Sequence, residues 1–264
     1  MNRPPPRPEL PSDPAGLPPL PDAFETALAS GLAALGLRLD HDARRAIDAH
    51  VRLLLAWNEA INLTAIADPA AVATRHVVDS LVALPLLAGG PSHATAGPLR
   101  LLDLGSGGGF PGLTLAAALP GSRVTLVDSV AKKARFLDAA VAAAGLADRV
   151  TVRAMRAEEL GAREPAAWDV VTARAVAALA DLVELALPML RIGGQLVAWK
   201  GPDIEAELVA AAAAARALGG EAPATHAVTG LPALAGHRIV IVRKLAATPP
   251  GYPRDPARRK RLPW

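Results

Sequence analysis

The sequence contains no cysteine among its 264 residues. This absence excludes a disulfide framework, a thiolate metal site and a cysteine nucleophile. Long apolar segments are absent as well, because no apolar run of about 18 residues lacks a charge or a proline. Prolines also interrupt the N-terminal residues, where a secretion signal would need an unbroken apolar core. We therefore expect a cytoplasmic protein without a membrane-spanning segment.

Net positive charge is concentrated at the C-terminal end. The formal net charge is +3, and residues 254–261 hold five basic residues and one acid, so the rest of the chain is near neutral. Such a tail indicates a polyanionic partner, and a solvated tail without a partner is the alternative. If the tail contacts RNA phosphates, the residues that do so are Arg258, Arg259, Lys260 and Arg261.

Glycines cluster directly after an apolar run. Residues 99–104 have the pattern of a buried strand, residues 113–119 favour a helix, and the segment between them contains Gly105, Gly107, Gly109 and Gly112. Backbone without a Cβ can take positive φ and lie close to a ligand, while the first amides of the helix remain unpaired donors. The pattern predicts a nucleotide-type binding site.

Two cofactors fit this loop. Gly107, Gly109 and Gly112 form the G-x-G-x-x-G dinucleotide fingerprint, and Asp128 lies at the end of the next apolar run, where it can bind ribose hydroxyls of either cofactor. Asp103 precedes Gly105 by two residues. A carboxylate there repels a pyrophosphate and attracts the cationic end of S-adenosylmethionine, or it orients the loop through its amides. The charge argument favours S-adenosylmethionine over a nicotinamide dinucleotide.

Composition divides the chain into four segments. Residues 1–21 are rich in proline and predict a disordered arm. Residues 22–87 carry apolar residues at helical spacing and predict a small α-helical subdomain. Residues 88–246 predict the catalytic domain, which a linker at 88–98 joins to the helices, and residues 247–264 form the basic, proline-rich tail.

Strands and helices alternate from residue 99 onward, which is typical of a doubly wound α/β sheet. The predicted strands lie near 99–104, 124–128, 150–153, 169–173, 195–199, 225–228 and 239–243, and the predicted helices lie near 112–119, 131–144, 178–190 and 203–217. The last two strands are too close in sequence for a crossover helix, so they must be antiparallel. We therefore predict the seven-stranded, Rossmann-like fold of class I S-adenosylmethionine-dependent methyltransferases.

Several motifs in order resemble the RsmG (GidB) family, over roughly residues 24–244. They are Trp57-Asn58-x-x-Ile61-Asn62-Leu63-Thr64, Arg75-His76-x-x-Asp79-Ser80, the loop from Asp103 to Gly112, Leu126-Val127-Asp128-Ser129-x-x-Lys132-Lys133, Ala173-Arg174-Ala175, Lys200-Gly201 and His237-Arg238. An ordered set of this kind is far more specific than any single motif.

The resemblance implies methylation of guanine N7 in 16S ribosomal RNA, with S-adenosylmethionine as cofactor. The partner would be this RNA, the small ribosomal subunit or its assembly intermediate, and the enzyme would be a monomer. The cofactor-binding residues that the resemblance and the loop pattern imply are Gly105, Gly107, Phe110, Asp128, Ala157, Glu158 and Arg174. A nicotinamide-dependent reductase and a non-catalytic RNA-binding module on the same fold are the alternatives.

Other polar residues have more than one interpretation. His76 and Asp79 lie three residues apart on one helical face, so they pair beside the site, read RNA or form a surface pair without a role. Arg174 follows a buried strand at the sheet edge where ligands bind, so we expect it to position cofactor or RNA. Lys200 follows the fifth strand and is either an RNA phosphate contact or a solvated lysine. The histidines lack metal-ligand spacing, so we expect no metal, and we expect no catalytic base.

Overall fold

The computed structural model describes residues 10–88 and 97–264, which are built on a seven-stranded sheet in the order β3-β2-β1-β4-β5-β7-β6. The strands are β1 Leu99–Leu104, β2 Ser122–Val127, β3 Val150–Arg153, β4 Trp168–Arg174, β5 Leu190–Lys200, β6 Ala224–Ala227 and β7 Arg238–Arg243. Strand β7 runs antiparallel to both β5 and β6, while β1 to β5 pair in parallel. The predicted fold class is therefore confirmed.

The helices lie before the sheet, between its strands and after it. They are α1 Asp22–Leu35, α2 His41–Ile61, α3 Pro69–Val72, α4 Asp79–Leu81, α5 Leu84–Ala88, α6 Gly112–Ala118, α7 Ala131–Ala143, α8 Ala157–Arg163, α9 Leu179–Ala186, α10 Glu205–Ala217 and α11 Pro256–Arg261. A π-helical segment, Ala73–Val78, joins α3 to α4. The sequence analysis missed α8 and α11, because both are short and polar.

Strand β1 shows how the sheet buries both faces. Leu101 pairs with Val124 of β2 and Val170 of β4. Its side chain joins the hydrophobic core under α2, α6 and α7, whereas Leu102 joins the core under α9 and α10. Successive side chains of a strand point to opposite faces, so an unbroken apolar run suits a strand that is covered on both sides.

The N-terminal helices share the first of these two cores. Phe24 of α1, Leu54 of α2 and Leu81 of α4 are buried in one continuous cluster with Leu113 of α6 and Phe136 of α7. Asp40 caps α2 by accepting a hydrogen bond from the amide of Ala43, and Asp68 does the same for α3. The helices therefore pack directly on the face of the sheet that carries α6 and α7.

The arm preceding α1 differs from the prediction. Residues 10–21 lie along α2, where the indole Nε1 of Trp57 donates to the carbonyl of Pro11 (2.6 Å) and Arg52 Nε donates to that of Pro18 (2.9 Å). Prolines leave their carbonyls free to accept, and the intervening leucines pack on the core. The predicted disorder is wrong for residues 10–21, while residues 1–9 and the predicted linker over 89–96 lie outside the described residues.

One helical stretch in the described part of the chain is long and apolar enough to cross a membrane. It spans Pro69–Leu87, and 56% of its most apolar 18-residue window is buried inside the fold. The stretch carries Arg75, His76 and Asp79, and their side chains face a cleft of the protein. Its apolar residues pack in the first core.

Candidate active site

The glycine-rich loop joins β1 to α6 at the point where β1 and β4 are neighbours. Gly105, Gly107 and Gly109 all have φ between 53° and 88°. At Gly105 an added Cβ would lie 2.7 Å from a methyl group of Val176, so both the backbone conformation and the available space require glycine there. The loop confirms the predicted strand, glycine turn and helix.

Asp103 orients this loop from inside the fold. Its side chain is fully buried, accepts a hydrogen bond from the hydroxyl of Thr172 (2.7 Å) and accepts another from the amide of Gly112 (3.2 Å). Burial raises its pKa to about 6, against the hydrogen bonds that lower it. Of the two roles considered for Asp103, the structure therefore supports the orienting one, and the carboxylate does not line the cleft.

His50 supports the loop from the opposite side, and the sequence analysis missed this role. It is buried on α2, and its Nε2 donates to the carbonyl of Gly108 at 2.7 Å. Burial lowers its pKa to about 4, so the imidazole is neutral. The available signal was a histidine beside Ile47 and Val51 on the apolar stripe of α2.

Phe110 lies between two imidazoles. Its ring centroid is 4.8 Å from that of His76, with the rings nearly parallel, and 4.6 Å from that of His50. The guanidinium carbon of Arg174 lies 5.5 Å from the Phe110 ring centroid, a cation-π contact. Phe110 therefore connects the glycine loop, the N-terminal helices and the end of β4.

Arg174 bridges His76 and Asp79. It donates to Asp79 Oδ2 at 3.0 Å and to His76 Nδ1 at 3.1 Å, so these two residues meet through the guanidinium rather than directly. Nδ1 of His76 lies 3.1 Å from the guanidinium and also 3.1 Å from the carbonyl oxygen of Arg75. A guanidinium only donates, so the contact with Arg174 requires Nδ1 to accept, and Nε2 then bears the proton toward Thr64 Oγ1 (2.7 Å). The other oxygen of Asp79 accepts from His237 Nδ1 at 3.1 Å. The sequence analysis did not place His237 in the site.

Burial, and then the positive charge of Arg174, lowers the pKa of His76 to about 4. The imidazole is therefore neutral near pH 7, in agreement with its role as an acceptor from Arg174. Asp79 is 2% exposed and both of its carboxylate oxygens are engaged. The cluster of His76, Asp79, Arg174 and His237 is thus a fixed, nearly charge-balanced wall.

A cleft with two lobes opens at this edge of the sheet. The first lobe, about 510 Å³, is lined by Leu63, Thr64, Ile66, Arg75, His76, Asp79, Gly105, Ser106, Gly107, Gly108, Phe110, Lys133, Arg174, Ala175 and His237. The second, about 420 Å³, is lined by Leu104, Gly105, Val127, Asp128, Ser129, Val130, Lys133, Met155, Arg156, Ala157, Glu158, Ala175, Val176, Ala177, Leu185 and Arg259. Gly105, Lys133 and Ala175 line both lobes, which are therefore adjacent. This is the crevice beyond the carboxyl ends of the strands, where open α/β sheets bind ligands.

Asp128 lies in the second lobe at the end of β2. Its Oδ2 accepts from the amide of Gly107 (3.0 Å) and its Oδ1 accepts from that of Val130 (2.8 Å). Each carboxylate oxygen has a further lone pair, so Asp128 can hold the loop and still accept from ribose hydroxyls. An added Cβ on Gly107 would meet only one atom within 4 Å, a backbone oxygen at 3.7 Å, so the loop is open there to a ligand.

Two of the predicted RNA contacts are engaged within the chain. The Lys200 ammonium donates to Glu207 Oε2 (2.7 Å) and to the carbonyl of Ala177 (3.0 Å), and its side chain is 12% exposed. Arg259 forms an ion pair with Glu158. Lys200 and Arg259 therefore have partners within the chain in this structure, and their contact with RNA phosphates stays a prediction. The remaining candidates, Arg258, Lys260 and Arg261, are exposed on α11.

No group of three or more histidine, cysteine, aspartate or glutamate side chains is placed to hold a metal ion within residues 10–88 and 97–264. The cleft instead suits an organic ligand. It presents loop amides and the Asp128 carboxylate in two adjoining lobes. Together with the antiparallel β7, they define the site of an S-adenosylmethionine-dependent methyltransferase.

Solved structures share this fold. A Corynebacterium glutamicum protein matches with a TM-score of 0.51 and 19% identity, covering 85% of this chain and 98% of its own. An S-adenosylmethionine-dependent O-methyltransferase from Thermotoga maritima matches with a TM-score of 0.50 and 15% identity, covering 74% of this chain and 72% of its own. At these identities the likeness shows the fold alone, and that fold is the methyltransferase fold.

Sequence comparison gives the family. The family model for GidB, rRNA small subunit methyltransferase G, matches residues 43–232. Ribosomal RNA small subunit methyltransferase G of Roseiflexus castenholzii is 46% identical over 233 residues, 85% of this chain and 94% of that protein. Its counterpart in Symbiobacterium thermophilum is 38% identical over 240 residues, 88% and 94% of the two chains. The chain belongs to the GidB family of methyltransferases, and S-adenosylmethionine is its cofactor.

Proposed function

We propose that this chain transfers a methyl group from S-adenosylmethionine to N7 of a guanine in 16S ribosomal RNA. The observation that carries the proposal is the two-lobed cleft. Asp128, the proposed ribose-binding carboxylate, lines one lobe, and Phe110 and Arg174 form part of the wall of the other. The names of the relatives support ribosomal RNA of the small subunit as the substrate. When bound, S-adenosylmethionine supplies an electrophilic methyl group on a sulfonium.

The lining of the lobes supports the following roles for the predicted residues. Asp128, Ala157 and Glu158 line the second lobe and would hold the adenosine part of the cofactor. Gly105 lines both lobes, and its lack of a side chain keeps the passage between them open. Phe110 and Arg174, on the wall of the first lobe, would border the cofactor beside the place where the guanine enters.

Guanine N7 needs no base, and the one ring nitrogen of this wall without a hydrogen bond among the described residues is Nε2 of His237, whose Nδ1 donates to Asp79. N7 has a lone pair and no proton, so it can attack the methyl carbon without prior deprotonation. His76 is neutral and its acceptor nitrogen is engaged by Arg174, while both oxygens of Asp79 are hydrogen bonded. These residues act by placing the reactants, a contribution that depends on fixed geometry.

The Arg174–Asp79 pair also has an electrostatic role in this proposal. Methylation at N7 leaves a positive charge on the guanine. An unpaired arginine beside the base would oppose that charge, whereas an arginine that is neutralised by a buried carboxylate does not. Arg174 thus shapes the lobe without adding a net charge to it.

The substrate form is part of the proposal. We propose that the enzyme acts as a monomer in the cytoplasm, on 16S ribosomal RNA, the small subunit or its assembly intermediate. The exposed Arg258, Lys260 and Arg261 of α11 are the tail residues that remain available for phosphate contacts.

A methyl-transfer assay tests the function. Purified enzyme is given labelled S-adenosylmethionine with free 16S ribosomal RNA, assembling subunits or mature subunits, and the methylated atom is mapped. We expect a 7-methylguanine in at least one substrate and no transfer by Asp128→Ala at limiting cofactor. Methylation of a different atom would refute the N7 assignment, and RNA binding without transfer would indicate a non-catalytic module.

A pH series tests the placement mechanism. Single-turnover rates at saturating cofactor and RNA are measured for wild type, His76→Ala and Asp79→Asn. We expect each rate to be independent of pH across neutrality, with the variants slower by a constant factor. A wild-type rate that rises tenfold per pH unit and loses this dependence in one variant would show that the residue is a general base.

A further inference from the structure

The C-terminal segment 252–264 is anchored on the body of the protein rather than extended into solvent. Arg254 Nε lies 2.9 and 3.0 Å from the two oxygens of Glu184, a fully buried residue of α9. Trp264 Nε1 donates to Glu184 Oε2 at 2.6 Å, and the indole lies 4.7 Å from the Arg254 guanidinium. Burial alone would raise the pKa of Glu184, but the bonds from Arg254 and Trp264 lower it overall. Glu184 therefore holds both ends of the segment.

This anchor directs α11 toward the cleft. Asp255 caps the helix by accepting from the amide of Arg258 (2.9 Å), and Pro256 occupies its first turn. Arg259 then lines the second lobe, where its guanidinium pairs with Glu158 in the first turn of α8. The two side chains are only 12% and 19% exposed, so the pair is screened from solvent far more than an ordinary surface pair.

The pair restrains a residue of the cofactor site. Arg259 donates to Glu158 Oε1, and among the residues that the structure describes Oε2 has no hydrogen bond. Glutamate has several freely rotating side-chain bonds, so a fixed partner removes conformational freedom before a ligand binds. Oε2 is then left as a fixed acceptor for an amino group such as that of adenine.

We propose that Arg259 is a positioning residue for the cofactor, and that the anchored segment 252–264 brings it to the adenosine lobe. Arg259 fixes Glu158, so it contributes to the affinity for S-adenosylmethionine and not to RNA phosphate binding. This inference rests on the proposed cofactor site, in which Glu158 faces adenosine. We therefore expect substitution of Arg259 to change cofactor affinity, and substitution of its exposed neighbours on α11 to change RNA binding.

The test uses the full chain with Arg259→Ala and Arg259→Lys, and Arg163→Ala serves as the matched control. Arg163 pairs with Glu159 at 2.7 Å on the same helix α8, but these side chains are 64% and 48% exposed and neither lines the cleft. The measurements are calorimetric affinities for S-adenosylmethionine and S-adenosylhomocysteine, KM and kcat, the salt dependence of RNA binding, and Tm.

We expect Arg259→Ala to weaken cofactor binding and to raise KM for S-adenosylmethionine by about three- to tenfold, the range for losing one preorganised side chain. The kcat at saturating cofactor and the salt slope of RNA binding should stay at wild-type values. Arg259→Lys should recover part of the affinity, because it keeps the charge but loses the forked geometry. Arg163→Ala should match wild type in every measurement.

A double variant separates positioning from general loss of structure. If Arg259 acts through Glu158, Glu158→Gln and Arg259→Ala should be non-additive in cofactor affinity. Wild-type cofactor affinity in Arg259→Ala, or a reduced RNA salt slope with unchanged cofactor affinity, would overturn the inference. Failure of wild type itself to bind S-adenosylmethionine would instead refute the proposed function.

Discussion

The ion pair between Arg174 and Asp79 permits a quantitative test. Arg174→Ala removes three donated hydrogen bonds, to Asp79, His76 and the carbonyl of Arg75. It leaves the Asp79 carboxylate, whose side chain is 3% exposed, with His237 as its remaining side-chain partner. Breaking a buried pair from one side costs roughly 3–5 kcal/mol.

We expect the lower end of that range, about 3 kcal/mol of unfolding free energy, because water from the adjoining lobe can solvate the carboxylate. For a chain of this size the loss corresponds to a fall in Tm of roughly 6–12 °C. Urea unfolding at pH 7.5 measures the free energy, and equal m-values in the variants verify that the comparison is valid.

The control is the double variant Asp79→Asn with Arg174→Ala. Without a carboxylate there is no buried charge to strand, so the double variant should be more stable than Arg174→Ala by about 1–2 kcal/mol. Losses that add within about 0.5 kcal/mol would show that the two residues do not interact, and the electrostatic account of the site would be wrong.

Three further predictions concern the loop and its supports. Asp128→Ala should weaken S-adenosylmethionine binding by roughly 2–4 kcal/mol in calorimetry, with Asp128→Asn intermediate, and unchanged affinity in both would refute the ribose assignment. Gly105→Ala should cost about 1–2 kcal/mol of stability and impair cofactor binding, because φ is 68° and the new Cβ would contact Val176. The control Gly193→Ala, at φ 85° but with open space around the new Cβ, should lower stability without changing cofactor affinity. Burial holds the pKa of His50 near 4, below its ordinary 6.5, so the unfolded chain gains a proton in this window that the folded chain does not. His50 alone should therefore lower the stability by up to about 3 kcal/mol as pH drops from 6.5 to 4, so His50→Gln should lose less stability than wild type over this range; identical slopes would contradict this.

The sequence by itself determined the seven strands, the longer helices and their order. Apolar runs and glycine clusters are local patterns, and they located β1, the loop and the carboxylate of Asp128 at the end of β2. The short spacing between β6 and β7 also settled that they are antiparallel, because no crossover helix fits between them. These properties depend on neighbours along the chain, which a sequence displays directly.

Only the tertiary structure decided which polar groups are partners. Arg174 lies 95 residues from Asp79 in the chain, and His237 lies 158 residues from it, so no local pattern connects them. A charged side chain looks the same in sequence whether it is solvated or paired. Arg259, which the composition of the tail predicted to contact RNA, is instead paired with Glu158 because the buried Arg254–Glu184 contact brings α11 to the cleft. Long-range pairing of this kind depends on how the packed elements place their side chains, and the periodicity of the sequence does not encode it.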